Sequence, residues 1–426
     1  MASKVVQAPG HRAAALAVAH WGGVFAMALC VFALIASEFM PVSLLTPIAA
    51  DLQVSEGQVG QGIAISAAFA VVTSLSISML AGRMNRKTLL LGLTALMCVS
   101  GAAIGLAGNY TVYLVGRALI GVVVGGFWSM SAPTAMRLVP AAQLPRALAI
   151  FNGGNALATV LAAPLGSYLG SVIGWRGAFL CLVPISLVAF AWLWTALPSM
   201  PAEARKAGTA RASAQSSSLS LLGNPPVALG MLTLGVFFAG QFMLFTYLRP
   251  FLETVTRADV PSLSFILLVN GMAGLVGTLL IGTALKRGLY RTLAMAPLLM
   301  AVTAVALMAF GSSLPATVAL LGAWGLVATA TPVGWWTWLA RMLPNDAEAG
   351  GGLLVAVVQL AIALGSTVGG VLFDSHGYQS TFAVSAALLL VAAGLVGLTC
   401  RAQAGARVRA CSRPTDSPSA RSSSAQ

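Results

Sequence analysis

The chain has 426 residues, 58% of them hydrophobic and only 8% charged, with a mean hydropathy of +0.91. A soluble domain carries about 25% charged residues, so an ordinary water-soluble fold is excluded. The net charge of +13 does not indicate a nucleic-acid partner, because the basic residues are spread over many short segments and form no patch.

A spanning helix needs about 20 apolar residues. In chain order such runs occupy 21–45, 57–80, 88–108, 111–135, 146–173, 177–196, 227–249, 262–285, 292–311, 316–339, 350–373 and 381–400. The first is too long for a signal-peptide core and no A-x-A site follows it, so it reads as a retained helix. No stretch alternates apolar and polar residues as a membrane barrel would. The expected fold is an all-α polytopic membrane protein with twelve transmembrane helices in a lipid bilayer.

Lys and Arg concentrate on the cytoplasmic side of membrane proteins. With both termini placed inside, the inner segments hold 19 of the 23 basic residues, and only Arg117, Arg176, Arg249 and Arg257 fall elsewhere. Segment 1–20 reads as a cytoplasmic tail. The Ser/Ala/Arg-rich 198–226 reads as a cytoplasmic linker between a first six-helix half (21–197) and a second (227–400), and 401–426 as a disordered basic tail. The five cysteines stand singly without a C-x-x-C, so neither a disulfide framework nor a metal site is expected.

The halves resemble each other. Arg137-Leu138-Val139-Pro140 follows the fourth run as Arg341-Met342-Leu343-Pro344 follows the tenth, and Gly174-Trp175-Arg176 opens the sixth as Gly377-Tyr378-Gln379 opens the twelfth. Two separate landmarks thus keep one register. Paired six-helix halves joined by a cytoplasmic loop are the plan of parallel-repeat transporters, which hold substrate near mid-membrane between the halves.

Ionisable groups inside spans are functional candidates. Glu38 lies deep in the first run. Burial in lipid favours a neutral acid and a nearby cation favours the carboxylate, so such a group is suited to taking up and releasing a proton. Arg117 opens the fourth run, with Gly121 and Gly125 following at helical spacing, a pattern that lets another backbone approach. Pro164, Gly166 and Gly170 in the fifth run predict a bent, closely packed helix. Polar and aromatic residues inside the spans mark a candidate substrate path: Phe127 and Trp128, Asn152 and Asn155, Gln241 and Phe245 at i and i+4, Trp335 and Trp336, and Gln359. Amides and flat rings together suit a planar heterocycle with hydrogen-bonding edges.

Arg117-Ala-Leu-Ile-Gly121, the Pro164–Gly170 segment and the basic loop Gly82-Arg83-Met84-Asn85-Arg86-Lys87 resemble motifs of the major facilitator superfamily, in its twelve-span drug:proton antiporter branch. The loop departs from the family pattern, with Gly82 and Asn85 where an Asp and a Gly are usual. Longer runs, Glu38-Phe39-Met40-Pro41-Val42-Ser43, Gly125-Gly126-Phe127-Trp128 and Pro332-Val333-Gly334-Trp335-Trp336, are similar to bacterial purine ribonucleoside exporters of that branch. The resemblance implies a bacterial inner-membrane antiporter acting as a monomer without cofactors. It would export nucleosides such as inosine and guanosine against inward proton flow, with Glu38 and Arg117 in proton coupling. Efflux of drugs or sugars is the alternative within the same fold.

Other classes fit poorly. His11, His20 and His376 are too scattered for a catalytic or metal constellation, no H-E-x-x-H or phosphate-binding G-x-x-x-x-G-K-[ST] occurs, and nothing repeats to build a channel filter.

Overall fold

The computed structural model describes residues 19–81, 84–140, 143–201, 220–343 and 347–411. Most of the expected N-terminal tail and linker, Gly82 and Arg83 of the basic loop, and the chain beyond 411 lie outside the described residues. Among the described residues every regular element is helical: α1 Trp21–Leu52, α2 Glu56–Ala81, α3 Arg86–Gly105, α4 Tyr110–Leu138, α5 Leu144–Leu180, α6 Leu182–Ala196, α7 Pro225–Thr246, α8 Leu248–Thr254, α9 Val260–Arg287, α10 Leu289–Phe310, α11 Leu314–Ala328, α12 Thr331–Met342 and α13 Ala347–Cys411, with a 3-10 turn at Ser220–Gly223.

Among the described residues, ten continuous runs are long and apolar enough to cross a membrane. Two of them, Arg146–Ala196 and Gly350–Gln403, have 51 and 54 residues, about 75–80 Å of helix against a hydrocarbon core of about 30 Å. Each crosses twice, which gives the twelve expected spans. The corners are Gly174 and Gly377, both at φ +75°, a conformation that glycine alone adopts without cost. The repeat seen in the sequence is thus a repeated corner.

Proline explains the other departures from single helices. Pro250 and Pro332 lack the N–H that the carbonyls four residues earlier need, and the chain breaks there, between α7 and α8 and between α11 and α12. One boundary is corrected. Helix α13 continues to Cys411, past position 401 where disorder was expected, because 401–411 is rich in Ala and Arg, which favour helix.

The two halves repeat in their contacts. A Cβ on Gly121 of α4 would collide with the backbone of Ser66 in α2, and one on Gly325 of α11 with the backbone of Asn270 in α9. Both members of the second pair stand 204 residues after the first. Gly154 of α5 meets the backbone of Ala28 in α1 as Gly365 of α13 meets that of Ala239 in α7, and here both are displaced by 211. Gly125 lies equally close to the backbone of Ala70, while Gly166 and Gly170 pack on Ser43, Met40 and Leu44 of α1. At Gly121, Gly125, Gly166 and Gly170 a neighbouring helix comes close enough that an added Cβ would collide with it. Between the halves, α2 lies along α13 and α5 along α9, with Gly271 of α9 against Val160 of α5.

Overpacking costs about 1–3 kcal/mol. Gly121→Ala is therefore expected to lower the thermal midpoint in detergent, whereas Gly92→Ala, whose Cβ meets nothing within 4 Å, should leave it unchanged or higher.

Candidate functional site between the halves

Helix α1 carries Pro41 and Pro47 inside it. Each removes the N–H that would bond the carbonyl four residues back, so Ser37 and Ser43 present free carbonyls in the protein interior. Two arginines take them up. Arg117 of α4, fully buried, donates from Nη1 to the Ser37 carbonyl at 2.9 Å and from Nε to the Gly62 carbonyl at 3.2 Å. Arg249 of α8, 7% exposed, donates from Nη1 to the Ser43 carbonyl and from Nε to Glu253 at 2.7 Å. The first bond lies within one half; the second joins the two.

Glu38 follows Ser37 directly. It forms no ion pair with Arg117 among the described residues; the guanidinium instead holds the peptide that precedes it. Glu38 is half-buried and its Oε1 accepts a long hydrogen bond, 3.5 Å, from Nε2 of Gln359 in the opposite half. Gln359 is 5% exposed. Next to Glu38, Phe39 lies 6.2 Å from Phe242 at 28° and 6.2 Å from Phe245 at 74° between ring planes. An acid, an amide and three rings from both halves therefore meet in one place. Gln241, on the turn before Phe245, is half-buried with an Oε1 that has no hydrogen-bond partner.

The remaining candidates separate. Trp128 and Asn155 are half-buried, and Asn152 is exposed with its amide bonded to the Leu148 carbonyl of its own helix at 3.1 Å. Trp336 is 45% exposed and its ring faces Gly351. Phe127 and Trp335, 1% and 2% exposed, fill the interiors of their own halves and offer no surface to a ligand. The expectation that they line the path is corrected on that ground: an aromatic run reads alike in a sequence whether a ring faces a neighbouring helix or a cavity.

Sequence reasoning passed over Arg249, Phe39 and Phe242. Arg249 carried a signal, being a charge at the end of an apolar run, but its partner carbonyl lies 206 positions away. In the basic loop, Asn85 caps α3 by accepting from the Lys87 N–H at 2.9 Å, and bonds Ser199, while Lys87 Nζ reaches the Leu197 carbonyl at 2.7 Å. The loop is thereby tied to the end of α6 without the acidic residue usual in the family.

The helix ends opposite the basic loops carry Asp51, Asp259 and Asp374, and the halves close on each other there. Asp374 of α13 accepts from the Gly57 N–H at 3.0 Å and from Ser55 Oγ at 2.5 Å, so a carboxylate from one half caps the positive start of α2 in the other. Nearby, the Tyr247 hydroxyl crowds Gly60 and Gly370. Within the first half, Arg176 pairs with Asp51 at 2.5 Å and also bonds the Ala107 carbonyl. At the basic ends, among the described residues, Arg137 donates to the Pro201 carbonyl and Trp338 to the Tyr290 hydroxyl, each within one half.

The Major Facilitator Superfamily profile matches residues 27–351. The chain belongs to the major facilitator superfamily. Its relatives include the transcription regulatory protein OpdE of Pseudomonas aeruginosa, 64% identical over 91% of this chain and 95% of that protein. The purine ribonucleoside efflux pump NepI of Salmonella typhimurium is 40% identical over 92% and 96%. Among solved structures, a bacterial homologue of the lysosomal transporter Spinster, inward-facing and unoccupied, superposes with a TM-score of 0.74 at 16% identity, covering 90% of this chain and 97% of that one. A mutant of the nucleoside transporter NupG gives 0.73 at 12% identity over 88% and 98%. As a member of this superfamily the chain is a multi-pass membrane transporter and not an enzyme.

Hydrogen bonds to charged groups contribute about 1.5–3 kcal/mol. Arg249→Gln is expected to reduce the population closed at the acidic end about tenfold or more, and Asp374→Asn, at an exposed position, to shift it less in the same direction. Spin-label distances between Leu106 and Phe310, exposed at that end of the two halves, report the change.

Proposed function

We propose that this chain exports purine ribonucleosides such as inosine and guanosine from the cytoplasm across the bacterial inner membrane, driven by inward proton flow. The observation that carries the reading is Glu38: an acid deep in α1, half-buried between the halves and bonded across them to Gln359. The 40% identity to a purine ribonucleoside efflux pump over nearly the whole chain supports the substrate class.

With the basic ends taken as cytoplasmic, both termini lie inside and the described state is closed outward and receives substrate from within. The nucleoside enters between Phe39, Phe242 and Phe245, where a base finds ring faces, and its edges meet the amides of Gln241 and Gln359. Trp128, Asn152, Asn155 and Trp336 are assigned to the approach on their polar or aromatic chemistry alone. As the halves rock, the Asp374 and Arg249 contacts part and Glu38 faces outward and takes a proton. On return it releases that proton inward, with Arg117 biasing its charge through the field at Ser37. Exchange of a neutral nucleoside for one proton moves net charge, so membrane potential assists export.

The test is uptake of labelled inosine into inverted vesicles under an imposed proton gradient, with chloramphenicol and arabinose as competitors. Gradient-dependent uptake that neither competitor reduces is expected. Proton-coupled movement of either competitor without inosine uptake would replace the nucleoside by a drug or sugar. Glu38→Gln is expected to lower gradient-driven uptake at least tenfold while nucleoside exchange without a gradient persists; full gradient-driven uptake in that variant would remove Glu38 from coupling.

A further inference from the structure

Away from the space between the halves, a groove of about 500 Å³ runs between α9, α10 and α11 of the second half. Its wall is almost entirely apolar, with Leu280, Leu299 and Leu326 exposed along it. The wall's hydroxyls are already engaged: Thr283 donates to the Leu280 carbonyl at 2.7 Å and Thr292 to the Gly288 carbonyl at 2.9 Å. The mouth differs. Arg287, in the last turn of α9, and Arg291, in the first turn of α10, are both exposed and both line it. Neither guanidinium makes an ion pair or hydrogen bond among the described residues, and no acidic residue lines the groove.

Two free guanidinium groups over an apolar slot define an amphiphile with an anionic head. The depth agrees. Gly277 and Arg287 both line the groove, and ten residues of α9 span about 15 Å, half of a hydrocarbon core of about 30 Å and so one leaflet. Guanidinium forks match phosphate oxygens in geometry, and basic pockets between helices at the membrane face hold anionic headgroups.

We propose that this groove is a binding site for an anionic phospholipid, with the phosphate on Arg287 and Arg291 and one acyl chain lying along α9 toward Gly277. A lipid there fills the angle between α9 and α11, and α9 is also the helix that packs on α5 of the other half. Its occupancy is separate from transport substrate, so the site stands whichever solute is carried.

The test is native mass spectrometry of the full chain released from nanodiscs of phosphatidylcholine doped with phosphatidylglycerol. The R287Q/R291Q variant is compared with R341Q/R401Q, which removes the same charge from exposed positions on the same end. Retained phosphatidylglycerol is expected for the parent and for R341Q/R401Q, and an affinity at least tenfold weaker, about 1.4 kcal/mol, for R287Q/R291Q. Equal loss in both variants would reduce the effect to general surface charge, and unchanged binding in R287Q/R291Q would remove the site. Soluble glycerol phosphate is expected not to displace the lipid; displacement at comparable concentration would show that the apolar groove takes no part and would overturn the assignment.

Discussion

The architecture turns on two carbonyls. In hydrocarbon there is no water to satisfy a backbone group, and an unpaired one costs several kcal/mol. Helix α1 nevertheless leaves Ser37 and Ser43 without helical partners, because Pro41 and Pro47 supply no N–H. The remedy is a pair of buried arginines, one from within the half and one from across it. A burden of backbone chemistry thereby becomes a means of positioning. Arg117 is fixed one peptide from Glu38, and Arg249 ties the movement of α8 to the segment of α1 that carries the acid.

Close packing makes that segment rigid. Gly166 and Gly170 of α5 bring their backbone against Met40, Ser43 and Leu44, between and beside the two prolines. The matched contacts Gly121 with Ser66 and Gly325 with Asn270 keep each half a solid body. Helix association in a membrane rests on van der Waals contact more than on expulsion of water, so backbone approach at small residues supplies much of the cohesion. Two rigid bodies with few polar links between them are what rocking requires.

Those few links are unevenly placed. Asp374, Arg249 and Tyr247 join the halves toward the acidic ends, and Glu38 with Gln359 marks the middle. The Asp374, Arg249 and Glu38 links are charged or hydrogen-bonded contacts, which are lost over a short displacement, while Tyr247 meets Gly60 by close packing. Burial of apolar surface along α2 with α13 and α5 with α9 changes more gradually. Closure at one end is therefore a discrete event on an interface that otherwise slides.

The sequence by itself determined the membrane class, the twelve spans, the two repeated halves and Glu38 and Arg117 as unusual charges. These follow from composition, run length and local spacing, which the chain carries in one dimension. Gly174 and Gly377 kept register in the sequence because both corners need a positive φ. Tertiary structure alone decided which candidates meet. It placed Phe39 and Phe242 beside Glu38 and sent Phe127 and Trp335 into the cores of their halves. It also paired Arg249 with a carbonyl 206 positions distant. The reason is physical: an apolar helix in lipid can be hydrophobic on every side, so its sequence has little amphipathic pattern to say which face meets a partner, and only packing against the other helices settles it.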